Sequence, residues 1–206
     1  MPYYGVAERR VRPGHMDSYL ANARTIAERW ATPGGQLSYR LCVADDDPDR
    51  VLLLSTWPSP AVHRAALAAM PDEMRRVVVE DTASIEQDWV WYRSLRTIER
   101  FAERAAWVVV TRIDAALADR AALDGAVRGW MDKVIARAGA VSVAYLAAVD
   151  TPTSLMTIAE YADAGALSYG AEAAGRIVNA VPPCALRRFS GRVGFLWDHI
   201  DLHRPS

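Results

Sequence analysis

The chain has 206 residues, of which 51% are apolar, and its formal net charge is −1 at pH 7. This length and composition can bury a core and suit two domains of about 100 residues each. The near-neutral charge excludes the electrostatic footprint of a nucleic-acid-binding protein or of a protein bound to an anionic membrane. No apolar run resembles a signal peptide or reaches the ~20 residues of a membrane span, so we expect a cytoplasmic protein.

The first half of the chain predicts strand, helix, hairpin, helix and strand. A strand over residues 3–11 ends at the turn signal of residues 12–14. Apolar residues at helical spacing then predict a helix over residues 15–31. Further elements are a hairpin of residues 36–44 and 51–57, a helix over 60–69 capped by Ser59, and a strand over 85–97. Residues 71–84 fit either a helix or an irregular connection.

The second half repeats this order when the sequence is shifted by 104 residues. Residues 35–57 then fall on residues 139–161 without a gap, and the aromatic Trp57 falls on Tyr161. The repeated elements are strand 107–113, helix 117–138, hairpin 140–149 and 154–161, helix 164–178 and strand 189–202. The repeat predicts an α+β fold of two tandem ferredoxin-like domains, packed sheet to sheet as an internal dimer.

We expect the first domain to span residues 1–98 and the second residues 105–206, joined by a short charged linker. Because one chain supplies both copies, the protein can be complete as a monomer. Whether two chains associate further stays open.

The cysteines and histidines show no metal-binding pattern. Cys42 and Cys184 lie in apolar contexts typical of buried residues. His199 and His203 have a spacing that could bind a metal on a helix, but their segment predicts a strand. We therefore expect no metal site.

Three features together resemble a known family. They are the first strand followed by Arg12-Pro13-Gly14-His15-Met16-Asp17, the hairpin, and the aromatic that closes the third strand in Leu52-Leu53-Leu54-Ser55-Thr56-Trp57-Pro58-Ser59. With these, the chain resembles the antibiotic biosynthesis monooxygenase family of the dimeric α+β-barrel group, over nearly its whole length. The resemblance implies a small apolar pocket in each half, between the sheet and its two helices.

The resemblance also implies a reaction. Some members oxidise polycyclic aromatic phenols with dioxygen and without metal or flavin, which implies a cofactor-independent monooxygenase acting on a phenolic or polyketide-like substrate in secondary metabolism. Other members degrade haem and need an axial histidine about ten residues beyond the aromatic. Residues 67–69 and 171–173 hold none, which argues against haem binding.

Three residues of the first half are candidates for catalysis. His63 is the candidate base, because the pKa of an unperturbed histidine lies near neutrality. Arg93 could stabilise a phenolate or enolate, and Tyr39 could hydrogen-bond a quinone-like substrate. Each has a structural alternative, namely a surface histidine, a paired arginine and a core tyrosine.

The candidate substrate-binding residues are mostly aromatic. They are Trp57, Trp89, Trp91, Arg40, Tyr145, Tyr161 and Trp197. Packing in the core or between the halves is the alternative for the aromatic ones. Leu167 stands at the position equivalent to His63, so we expect the halves to have diverged.

Two other functions stay open. A non-redox cyclase or isomerase of a polyketide-like intermediate could use the same pocket. A binding protein for a small aromatic ligand would need no catalysis, and the lack of a Ser–His–Asp pattern or a Gly-rich phosphate loop favours it.

Overall fold

The structure is a computed structural model that describes residues 2–31, 34–80, 82–99, 105–116, 119–137, 139–168 and 185–198. Its elements up to the middle of the chain are β1 (Tyr3–Val11), α1 (Met16–Ile26), β2 (Ser38–Ala44), β3 (Arg50–Trp57), α2 (Pro60–Ala69), α3 (Asp72–Glu80) and β4 (Thr82–Glu99). The later elements are β5 (Trp107–Asp114), α4 (Arg120–Arg137), β6 (Ala140–Ala148), β7 (Ser154–Tyr161) and β8 (Ala185–Asp198). A π-helical turn, Ala27–Ala31, extends α1.

The chain divides into two compact units, here called the first and second unit. The first unit contains the residues up to Tyr92 together with those from Val193 onward, and the second is Arg93–Arg192. In the first unit hydrogen bonds connect the antiparallel strands in the order β1-β3-β2, and in the second in the order β8-β5-β7-β6. The predicted α+β fold with tandem ferredoxin-like halves is therefore confirmed. The long strands β4 and β8 each contribute residues to both units.

The first unit is built around the hairpin of β2 and β3. Strand β1 pairs with β3 in a register that sets Gly5 opposite Ser55 and Tyr3 opposite Trp57. One face of this sheet packs under α1 through the buried residues Val11, Tyr19, Ala23, Ala27, Leu41, Val51 and Leu53. Since side chains alternate along a strand, Ser55 and Trp57 lie on the same helix-covered face as Leu53.

The second unit repeats the pairing residue for residue. Strand β5 pairs with β7 so that Val109 lies opposite Ala159 and Trp107 lies opposite Tyr161. These pairs are the first-unit pairs moved by 104 residues, which confirms the internal repeat. Helix α4 covers this sheet, and its Leu123 is fully buried in the core.

The structure changes several predicted boundaries. Residues 72–80 form a regular helix, which resolves the ambiguous segment. Strand β4 begins before and ends after the predicted range of 85–97, and β8 begins before residue 189. Residues 164–168 form a helical turn, and the rest of the helix predicted over 164–178 lies outside the described residues, as do Cys184, His199 and His203.

Candidate active site

The candidate base His63 lies in the first turn of α2. The helix begins at Pro60, whose fixed backbone angle suits a first helical position, and the Ser59 hydroxyl accepts a hydrogen bond from the Val62 N–H (3.3 Å). This confirms the predicted cap. One turn into the helix, His63 turns inward together with Ala66 and is only 8% exposed. The alternative of a surface histidine is therefore wrong.

Three tryptophans surround the His63 ring, and together the four residues are here called the aromatic cluster. The ring lies parallel to that of Trp89, with centroids 5.0 Å apart and 3° between the planes. The rings of Trp57 and Trp91 meet it edge-on, at centroid distances of 4.9 and 5.0 Å. All four belong to the first unit. Trp57 is buried, whereas Trp89 and Trp91 are partly exposed, so the cluster is accessible from the β4 side.

The absence of a side chain at Gly5 leaves space for the Trp89 indole. A Cβ atom placed on Gly5 would lie 2.2 Å from Trp89 Cζ2 and 2.5 Å from Trp89 Nε1. These distances are far below van der Waals contact, so only glycine fits under the indole without a shift. Because Gly5 lies opposite Ser55 on the neighbouring strand, the Trp89 ring lies over this pair of strands.

Hydrogen bonds fix the positions of two tryptophans, Trp57 and its neighbour Trp30. The Trp57 indole N–H donates to Ser55 Oγ (2.6 Å), and the Gln36 side chain is also hydrogen-bonded to that oxygen. The Trp30 ring contacts Trp57, with centroids 6.2 Å apart, and its N–H donates to the Ala66 carbonyl of α2 (2.9 Å). The cluster is thus tied both to β3 and to α2.

Burial shifts the pKa values of two candidate residues, His63 and Tyr39. It lowers the pKa of His63 from 6.5 to about 4, with a smaller contribution from the Arg64 charge. The imidazole is therefore neutral at pH 7. Burial also raises the pKa of Tyr39 well above its ordinary value, so the phenol stays protonated.

The structure places the other first-half candidates, Tyr39, Arg40 and Arg93, in three different environments. Tyr39 shares the helix-covered face, opposite Ser55, and packs against the core under α1. Arg40 lies on the other face, where its guanidinium donates to the Ser38 hydroxyl (3.1 Å). Arg93 is exposed on β4, at the start of the second unit.

The second-half candidates lie in a packed core. Tyr145 and Tyr161 are fully buried. The Tyr145 hydroxyl is hydrogen-bonded to Asp124, which also accepts from Arg120 Nε (2.9 Å). Burial, followed by the Asp124 contact, raises the Tyr145 pKa, and burial raises the pKa of Tyr161 to about 12. The Trp197 side chain lies outside the described residues.

Sequence reasoning missed four residues that build the site. They are Gly5, Trp30, Gln36 and Ser55. The one available signal was Ser55, a hydroxyl two residues before Trp57 and hence on the same strand face. Nothing in the sequence pairs Gly5 with a tryptophan more than 80 positions away.

In the part of the chain that the structure describes, no group of three or more His, Cys, Asp or Glu side chains could hold a metal ion. No helix found there is long and apolar enough to cross a membrane.

Comparison with known proteins relates the first part of the chain to a family. The sequence model of the family described as antibiotic biosynthesis monooxygenase matches residues 2–77, which include β1 to α2 and His63. No curated protein matches the chain.

Three solved structures share the fold over most of the chain. A candidate monooxygenase from Fusobacterium nucleatum has a TM-score of 0.77 at 11% identity, covering 96% of this chain and 94% of that one. Another candidate monooxygenase, from Lactobacillus acidophilus NCFM, has a TM-score of 0.72 at 13% identity, covering 96% of both chains. An anthrone oxidase-like protein has a TM-score of 0.61 at 14% identity, covering 96% of this chain and 93% of that one. Residues 2–77 are thus similar to the antibiotic biosynthesis monooxygenase family, and the three structures share the fold over most of the chain.

Proposed function

We propose that the chain is a cofactor-independent monooxygenase that oxidises a flat phenolic or polyketide-like molecule at the aromatic cluster of the first unit. The observation that carries this proposal is a buried, neutral His63 held among three tryptophans. The similarity of residues 2–77 to the family supports a monooxygenase-like function. The substrate class rests on the chemistry of the cluster.

The cluster suits a planar apolar ligand. Trp89 and Trp91 meet at 71° with centroids 5.8 Å apart, and both keep part of their surface exposed. A flat ring can stack on one indole while its edge meets the other. The apolar surroundings would also remove water from the bound ligand, which strengthens the electrostatic effects of nearby polar groups.

The reaction needs a proton acceptor and dioxygen. The neutral His63 imidazole takes a proton from an acidic CH₂ or phenol, which leaves an electron-rich anion. This anion reduces dioxygen itself. For a CH₂ substrate, one oxygen atom becomes the new C=O and the other leaves as water with the two hydrogens. The substrate supplies all the electrons.

Oxygen uptake by purified, chelator-treated protein tests the proposal, with product masses measured in the same samples. An anthrone is a suitable first substrate, because it has an acidic CH₂, and naphthols complete the panel. We expect uptake and a product whose mass reflects one new oxygen atom. His63→Phe keeps an aromatic ring but cannot accept a proton, so it should lose most of the activity, whereas exposed His15→Gln should keep it.

Two outcomes would contradict the proposal in different ways. A new product of unchanged mass, formed without oxygen uptake, would identify a cyclase or isomerase. Quenching of tryptophan fluorescence by the aromatic compounds without any turnover would identify a binding protein.

A further inference from the structure

Gln36 is a buried polar residue whose hydrogen bonds are incomplete. It follows Gly35, whose φ of +87° turns the chain after α1 and brings it beside Val62 of α2. Gln36 is only 3% exposed, and its carboxamide reaches Ser55 Oγ on the helix-covered face of the sheet. Among the described residues, its Oε1 atom has no hydrogen-bond partner.

The hydrogen bonds of Ser55 determine which end of the carboxamide faces it. The Trp57 indole can only donate, so it uses one lone pair of Ser55 Oγ. The Ser55 hydroxyl proton then needs an acceptor, and Gln36 is the second group at hydrogen-bond distance. If Gln36 presents its carbonyl oxygen to Ser55, both residues are satisfied there. A carboxamide can turn in this way with almost no change in shape.

In that arrangement the NH₂ group of Gln36 takes the position without a partner. A buried donor left unsatisfied carries a free-energy cost, so such groups normally have a protein, water or ligand partner. The carboxamide lies one hydroxyl away from Trp57, which itself contacts His63. The free donor is therefore attached to the frame of the aromatic cluster.

The second unit supports a role in binding. The positions equivalent to Gln36, Ser55 and His63 are Ala140, Ala159 and Leu167, so the polar pair and the histidine are absent together. On the other face of the sheet, the hydrogen bond between Ser38 and Thr56 has an equivalent between Ser142 and Glu160. A polar pair on the other face is thus kept in both units, whereas the Gln36–Ser55 pair occurs only in the unit with His63.

We infer that Gln36 is a substrate-binding residue whose NH₂ group donates a hydrogen bond to an oxygen substituent on the aromatic ligand. This inference rests on the proposed function, since it assumes an aromatic ligand at the cluster. The inference adds the requirement that the aromatic ligand carries a hydroxyl or carbonyl substituent. Stacking on tryptophan alone would not impose that requirement. For a phenolate, the same hydrogen bond would stabilise the negative charge.

The test compares two ligands of nearly equal shape on the same protein. Dissociation constants of 1-naphthol and 1-methylnaphthalene are measured at pH 7 by quenching of tryptophan fluorescence, for the wild-type chain and for Gln36→Leu. We expect the wild-type chain to prefer 1-naphthol, and Gln36→Leu to reduce that preference by about tenfold, the effect of one buried hydrogen bond. A variant that is partly unfolded loses affinity for both ligands, so the ratio of the two constants isolates the hydrogen bond.

Two further variants sharpen the test. Gln36→Met keeps the length of the side chain but has no N–H to donate, so it should lose the preference as Gln36→Leu does. Thr56→Val removes a buried hydroxyl from the other face of the same strand and should keep the preference. An unchanged preference in Gln36→Leu overturns the inference, and a preference retained in Gln36→Met overturns the assignment of Gln36 as the donor. If neither ligand quenches the wild-type protein, the proposed function fails and the inference fails with it.

Discussion

The two units share one strand register but fill it differently. In the first unit Gly5 lies opposite Ser55, and in the second Val109 lies opposite Ala159. The absence of a side chain at Gly5 admits the Trp89 indole, which stacks on His63. In the second unit, Val109 and Ala159 belong to the buried core itself. Differences at both positions of a repeated strand pair therefore distinguish a unit that holds an aromatic cluster from a unit that is packed with apolar residues.

Polar groups under the first helix show the opposite pattern. In the second unit Tyr145 is hydrogen-bonded to Asp124, which pairs with Arg120 one helical turn away. The equivalent residues of the first unit are Leu41, Leu20 and Met16, all of which belong to the apolar core under α1 or pack against it. The second unit thus uses its buried polar side chains to join helix to sheet, whereas the first unit places them beside His63. The comparison teaches that a repeated fold leaves each copy free to place its buried polar groups for binding or for stability.

The largest effect is expected when Gly5 is made more like Val109. Gly5→Ala places a Cβ atom where Trp89 Cζ2 would be 2.2 Å away, so the indole must move off His63. Overpacking of this kind typically costs about 1–3 kcal/mol. We expect a lower urea midpoint, an altered near-ultraviolet circular dichroism spectrum and weaker quenching by 1-naphthol. Gly129→Ala, whose Cβ would meet nothing within 4 Å, is the control. A wild-type spectrum for Gly5→Ala would show that Trp89 does not depend on this glycine.

The second-largest effect is a pH dependence of the protein's stability, which arises from His63 in the first unit. The pKa of His63 is about 4 in the folded protein and 6.5 in its ordinary state, so the unfolded chain binds the proton more readily. Stability is therefore complete above pH 6.5 and is lost as the pH falls towards 4, at up to about 1.4 kcal/mol per pH unit. His63→Phe should flatten this dependence relative to the wild-type chain, as measured by urea unfolding at a series of pH values.

His15→Gln is the matched control for this measurement, because His15 is exposed. It should leave the slope of stability against pH unchanged. If His63→Phe and the wild-type chain lose stability in parallel between pH 6.5 and 4, then His63 is not buried as a neutral ring.

A smaller effect is expected for the polar contact of the second unit. Tyr145→Phe removes a hydroxyl that is hydrogen-bonded to Asp124, which typically costs about 1–2 kcal/mol. Combining it with Asp124→Asn in a double-mutant cycle should show that the two losses are not additive. Binding of 1-naphthol should stay unchanged, because both residues lie in the second unit. Additive losses would mean that the two side chains do not interact.

Much of the fold could be predicted from the sequence, because it depends on local patterns and on the repeat. The shift of 104 residues predicted the paired hairpins, and Ser59 with Pro60 predicted the start of α2. The site was predicted only in part. The sequence indicates four residues of the cluster as candidates, namely His63, Trp57, Trp89 and Trp91. Their meeting in one cluster depends on the alignment of β4 with β1, which no short-range pattern encodes.

The orientation of Tyr39 and the contact of Tyr145 with Asp124 could not be predicted from the sequence. The reason differs from that for the cluster. Tyr39 and Arg40 are neighbours in one strand, and alternation requires them to face opposite sides of the sheet. Only the structure shows that the side of Tyr39 is the one covered by helices. The contact between Tyr145 and Asp124 joins a strand to a helix 21 residues earlier, and the sequence holds no signal for it.

The smallest effect on stability is expected for substitutions at the hairpin turns. Different hydrogen bonds stabilise the turn in each unit. In the first unit Asp47 accepts a hydrogen bond from Arg10 (2.6 Å), which lowers the pKa of its carboxyl group. In the second unit Arg120 donates to the Pro152 carbonyl (3.1 Å), and Thr151 stands in place of Asp47. Asp47→Asn keeps a side-chain oxygen for the turn and removes only the charge.

Because the pKa of Asp47 is lower in the folded state, its contribution to stability is present above pH 3.8 and is lost as the pH falls through the folded-state value. We therefore expect Asp47→Asn to lower the thermal midpoint slightly at pH 7 and low salt, and less so at acidic pH. High salt should also reduce the difference, because an exposed ion pair is screened. The second unit supplies the control, since the exposed Asp150→Asn should have no effect at either salt concentration. A difference at Asp47 that is independent of salt would mean that the side chain acts through turn geometry, and the two hairpins would then differ in backbone conformation rather than in charge.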